Sequence, residues 1–84
     1  MKQVTYTRSA LKMLRRVPAN TAGLIMAKVE EYAVDPVSLA NNVIRMKGRQ
    51  DGAVRLRVGD WRVIMDDGVV LAVLEIGPRG SVYD

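Results

Sequence analysis

The chain contains no cysteine and no histidine. The first absence excludes a disulfide framework and thiol chemistry, and it fits a reducing, cytoplasmic location. The second restricts more. Histidine is the usual acid–base group at neutral pH and the commonest metal ligand. An enzyme built on this sequence must move protons with lysine, arginine, tyrosine or a carboxylate, and neither a metal nor any other cofactor is expected. Long apolar runs are lacking as well. The strongest are strand-length, so no membrane span is expected, and the start "MKQVTYTR" lacks the apolar core of a signal peptide. No internal repeat, low-complexity tract or linker breaks the chain. Its 84 residues read as one domain, 1–84, long enough to close a modest core without staples.

What is present begins with an apolar fraction of 49% and a formal charge of +4, which together indicate a folded domain with an acidic or polyanionic partner. Residues 2–6, "KQVTY", read as a strand. Thr7 can cap a helix through Leu11 and Leu14, stopped by Pro18. Asn20 or Thr21 then starts a second helix. Its apolar positions Ile25, Val29 and Tyr32 fall at i, i+4 and i+7, and Asp35-Pro36 ends it. The two helices form an antiparallel pair with one buried stripe, and Tyr32 reads as a core residue.

From about Val43 the period becomes two. "NVIRMKG", "VRLRV" (54–58), "WRVIM" (61–65) and "VVLAVLEI" (69–76) read as strands. Gly59-Asp60 suits a type II′ turn and Asp67-Gly68 a type I′ turn. The expected fold class is α+β: a strand, a helix pair, then an antiparallel β-meander with the helices on one face of the sheet.

If Gly59-Asp60 is a two-residue loop, Val58 pairs with Trp61 and Leu56 with Val63, while Arg57 lies directly opposite Arg62. Arg55, Arg57 and Arg62 then share the second face. Like charges across a strand pair cost roughly a few tenths of a kcal/mol. A solvated face can bear that cost, and so can a phosphate-binding one. The local balance favours the latter: residues 45–62 hold Arg45, Lys47, Arg49, Arg55, Arg57 and Arg62 against Asp51 and Asp60. Arginine dominates, and its planar fork suits phosphate oxygens. The ending "EIGPRGSVYD" adds Arg79 and Tyr83. A phenol beside guanidiniums is a workable site for RNA cleavage without histidine.

The runs "LRVGDWRVI" and "IGPRGSVY" resemble the RelE/ParE toxin superfamily, and the order of elements before them agrees. The resemblance implies a toxin of a type II toxin–antitoxin system, most simply a ribosome-dependent mRNA endoribonuclease neutralised by a cognate acidic antitoxin. Its partners would be the ribosome and mRNA. Arg62, Arg79 and Tyr83 then match the catalytic positions and Arg55 and Arg57 the basic positions of the preceding strand, while Arg45, Lys47 and Arg49 are expected to bind RNA or phosphate on the charge balance alone. Where well-studied RelE-like enzymes carry lysines on the preceding strand, this chain has Ala53 and Arg55, and Trp61 replaces a commoner tyrosine. The same resemblance admits a ParE-like inhibitor of DNA gyrase without nuclease activity, or an inactive basic binding module of the same fold.

Overall fold

The structure is a computed structural model, and it describes residues 2–46 and 52–80. β1 (Val4–Tyr6) leads through Thr7 into α1 (Arg8–Arg16). Thr7 does what its position suggested. Its Oγ1 accepts from the Ala10 N–H at 3.1 Å, satisfying one of the four N–H groups a helix start leaves unpaired. The same hydroxyl donates to the Leu74 carbonyl at 2.6 Å, so the cap also ties α1 to the sheet.

α2 (Ala19–Val34) begins directly after Pro18, a residue or two earlier than the asparagine–threonine pair suggested. Pro18 is extended (φ −56°, ψ 148°) and offers no side-chain cap. Asn20 instead accepts from the neighbouring Thr21 N–H inside the first turn. Ile25, Val29 and Tyr32 are buried, as their spacing implied. After Asp35 the chain makes short 3-10 turns over Pro36–Asn42, broken at Leu39 (φ −113°, ψ 17°). Sequence periodicity gave no sign of this segment.

β2 (Val43–Arg45), β3 (Ala53–Val58), β4 (Trp61–Asp67) and β5 (Leu71–Pro78) form an antiparallel meander. β1 joins β5 in parallel, giving a five-stranded sheet in the order β1-β5-β4-β3-β2. The β3–β4 register is the expected one: Val58 pairs with Trp61, Leu56 with Val63 and Arg57 with Arg62. Gly59 opens this two-residue loop at φ 58°, which a side chain tolerates poorly.

The next turn differs from expectation. Asp67 pairs with Leu71, so Gly68, Val69 and Val70 form a three-residue loop, and Gly68 is not among the positive-φ glycines that a type I′ turn would require. Val69 and Val70 are exposed loop residues, and β5 starts two residues later than the apolar run. β5 also carries a bulge: Ile64 pairs with Glu75 but Met65 with Val73, leaving Leu74 as the extra residue. Its carbonyl is the one Thr7 engages.

Alternation gives the sheet two unlike faces. Val54, Leu56, Val58, Val63, Met65, Leu71, Val73 and Ile76 pack with Ala10 and Leu14 of α1 and Ile25, Val29 and Tyr32 of α2 into the core. Trp61 packs half-buried against it. No helix among the described residues is long and apolar enough to cross a membrane.

Candidate functional site

The face turned away from the helices carries the arginines. Arg55 and Arg57 on β3 alternate with the core positions Val54, Leu56 and Val58, and Arg62 on β4 sits directly across from Arg57. Arg62 Nη1 donates to the carbonyls of Gly59 and Trp61, each at 3.1 Å, which fixes its guanidinium beside the β3–β4 turn. β2 adds Ile44, paired with Arg55. Together Arg55, Arg57, Arg62, Ile44, Asn41 and Asn42 line a cleft of about 160 Å³.

The electrostatics are less one-sided than the run of residues 45–62 implied. The register sets Ile64 opposite Glu75 and Ala53 opposite Asp66, which puts both carboxylates on the arginine face. Both lie beyond residue 62, Asp66 further along β4 and Glu75 on β5. Even so, all three charged side chains lining the cleft are arginines. Such an arrangement can hold a phosphate, since guanidiniums forced together are relieved by an anion between them and bind it by charge-assisted hydrogen bonds.

A second polar cluster lies at the far end of β4, on the helix side. Tyr32 donates its hydroxyl to Asp67 Oδ2 at 2.8 Å, and Lys2 forms an ion pair with the other carboxylate oxygen. Burial pushes the Tyr32 phenol up to about 12, helped by its hydrogen bond to Asp67. Burial raises the Asp67 carboxyl too, but hydrogen bonds from Lys2 and Tyr32 and the charges of Lys2 and Arg45 outweigh it, holding the group below the ordinary carboxylate range.

No protein-family model matches the chain, and no curated protein matches its sequence. Solved structures do. The crystal structure of the archaeal RelE-RelB complex from Pyrococcus horikoshii OT3 is similar at 26% identity over 96% of this chain and 98% of that one, with a TM-score of 0.76. The isolated E. coli RelE toxin is similar at 16% identity over 99% and 89%, with a TM-score of 0.77. The E. coli DinJ-YafQ toxin–antitoxin complex is similar at 13% identity over 99% and 98%, with a TM-score of 0.67. This places the chain in the RelE-like toxin superfamily.

Within this RelE-like fold the expected site residues separate. Arg55, Arg57 and Arg62 meet in the cleft. Arg79 is exposed just past β5, and its N–H donates to the Asp60 carbonyl at 2.7 Å. It therefore stands by the β3–β4 turn next to Arg62 but does not line the cleft. Arg45 parts from the group. It pairs with Val54, a core-facing position, and its charge acts on Tyr32 and Asp67 on the opposite side of the sheet. The alternation that made it look equivalent to Arg55 and Arg57 holds along one strand only; across the β2–β3 pair the register decides. Lys47, Arg49 and Tyr83 lie outside the described residues.

The RelE-like sheet also brings in residues that the sequence reading passed over, namely Asn41, Asn42 and Ile44. Only the β2–β3 register reveals them. Val43 pairs with Leu56, so one antiparallel step further places Asn42 level with Arg57.

Proposed function

We propose that the chain is the toxin of a type II toxin–antitoxin pair and cleaves mRNA on the translating ribosome, with an acidic antitoxin as its neutralising partner. The arginine-lined cleft on the open face of a RelE-like sheet carries this reading. Structures of similar chains solved with RelB or DinJ support the antitoxin as partner.

In the proposed reaction a ribose 2′-OH attacks the adjacent phosphorus. The 2′-oxygen forms the new bond, the bond to the 5′-oxygen breaks, and the products are a cyclic phosphate and a 5′-hydroxyl end. One proton leaves the 2′-OH and one reaches the departing 5′-oxygen. Arg62 stabilises the crowded, doubly charged phosphate, and Arg79 reaches it from the neighbouring turn. Arg55 and Arg57 hold the flanking phosphates, and Lys47 and Arg49 add positive charge for the RNA. Tyr83 transfers a proton or stacks on a base. Arginine, with a pKa above about 12, binds phosphate well and accepts protons poorly. Catalysis therefore leans on a substrate positioned by the ribosome.

One observation favours a second reading. Asparagine, isoleucine and arginine line the cleft, and none of them is an acid or base at neutral pH. That lining would equally serve a binding protein, including a ParE-like gyrase inhibitor. Primer extension on translating ribosomes separates the two. New mRNA 5′ ends that vanish in Arg62→Ala support the ribonuclease, whereas no new ends together with loss of supercoiling by purified gyrase overturn it.

A further inference from the structure

Three of the six side chains around the cleft are not cations. Asn41 and Asn42 end the 3-10 segment, and Ile44 is the second residue of β2. Asn42 is half-buried, Asn41 and Ile44 are exposed, and neither amide side chain bonds to another described residue. A half-buried amide with donors and acceptor unused, set in the wall of a cleft, is poised to bond a ligand. Its neighbours narrow the choice. Anion binding needs only the arginines and gains nothing from the apolar face of Ile44. A planar heterocycle uses all three kinds of group, lying on Ile44 or on a guanidinium plane while its edge meets an amide.

Size narrows it further. Pockets for whole drug-sized ligands span about 300–1,000 Å³. This cleft, at about 160 Å³, has room for one planar fragment at a time. The distribution of chemistry along it is also uneven. Arg55, Arg57 and Arg62 form the cationic side, on β3 and β4, and the asparagines and Ile44 form the neutral side, on and just before β2. A nucleotide has the same polarity, phosphate at one end and base at the other.

We propose that Asn41, Asn42 and Ile44 are the base-reading wall of the cleft, with Asn42 setting which base is accepted beside the cleaved phosphate. The inference rests on the ribonuclease reading above and deepens it. An asparagine amide pairs best with adenine, meeting one donor and one acceptor on the same base edge. Adenine is therefore the preferred base, and Asn42 is a specificity residue acting on the substrate directly.

The test measures cleavage rates on translating ribosomes with reporter mRNAs that differ only by A, C, G or U at the cleaved position. The parent chain is expected to favour adenine. In Asn42→Ala that preference falls about tenfold, the worth of one good amide–base pair. Asn42→Asp offers only acceptors and moves the preference toward cytosine, whose exocyclic amine donates. Unchanged thermal unfolding of both variants excludes a folding defect, and Asn42→Gln, which keeps the amide but displaces it, also weakens the adenine preference should either fail to fold. A parent without base preference, or variants that keep the parental preference, overturns the inference and leaves the ribonuclease reading standing. A parent that produces no cleavage on any reporter overturns the reading itself, and the inference with it.

Discussion

Arg57 and Arg62 face each other across adjacent strands, where a threonine pair or an opposite-charge pair would be worth more to the sheet. Arg57 is exposed, so the repulsion is screened and modest. Arg57→Thr is therefore expected to raise stability by roughly a few tenths of a kcal/mol, read as a higher denaturant midpoint at unchanged slope. The same change should lower cleavage. A variant that is more stable and no less active would show that the pair is retained for some other reason. Arg79 permits the converse experiment. It is exposed in a glycine- and proline-flanked segment outside the core, so Arg79→Ala should shift stability by about 0.5 kcal/mol or less. Loss of a charge-assisted contact made in the transition state costs about 3 kcal/mol, roughly a hundredfold in rate. Parental cleavage by Arg79→Ala would put the proposed site in the wrong place. Tyr83→Phe then divides proton transfer, which needs the hydroxyl, from stacking, which needs only the ring.

At the level of elements, two side-chain hydrogen bonds add to the core packing that holds the helices to the sheet. Thr7 caps α1 and reaches the bulged carbonyl of β5, so Thr7→Ala is expected to cost about 1 kcal/mol or somewhat more, largely restored by serine. Tyr32 joins α2 to the end of β4 through Asp67. Its phenol titrates near 10 when unfolded and at about 12 in the fold, so it contributes stability that is complete below pH 10 and lost between about 10 and 12. The comparison that isolates this contribution is with Tyr32→Phe, which should flatten the decline of stability between pH 10 and 12. Asp67 acts in the opposite sense. Its lowered pKa supplies stability at neutral pH that fades as pH falls through the folded value. The elements differed in how far the sequence betrayed them. The helix stripe, the β3–β4 register and the Thr7 cap were all legible, because each follows from local periodicity or turn chemistry. The 3-10 segment, the parallel pairing of β1 with β5 and the three-residue loop after Asp67 were not. Each depends on contacts between distant residues: Leu71, for one, donates its N–H to the Gln3 carbonyl, which fixes where β5 begins. Half of the site was hidden for the same reason, since Asn41 and Asn42 join the arginines only once β2 pairs with β3.

Across the whole molecule the positive charge lies on two opposite sides. One is the arginine face of the sheet. The other is α1, where Arg8, Lys12, Arg15 and Arg16 are all exposed along one stripe and no acidic residue occupies the first turn. Among the described residues, ion pairing does little to neutralise this second stripe: the pairs Lys2–Asp67 and Lys28–Glu31 involve none of its four cations. An acidic partner approaching from solution responds to the summed field of both sides, whichever surface it finally covers. Two outcomes follow. The chain expressed alone should arrest growth, and co-expression of its antitoxin should relieve the arrest; harmless high-level expression would count against a toxin of either kind. Association with the antitoxin should also slow steeply as salt is raised. Reversing charge at Lys12 and Arg16 together, on the side away from the cleft, should slow it by about tenfold at low salt while mRNA cleavage by the unbound chain stays near the parental rate. Stopped-flow measurements across ionic strength decide the point. An association rate indifferent to salt and to both reversals would mean that the charge on α1 serves solubility rather than recognition.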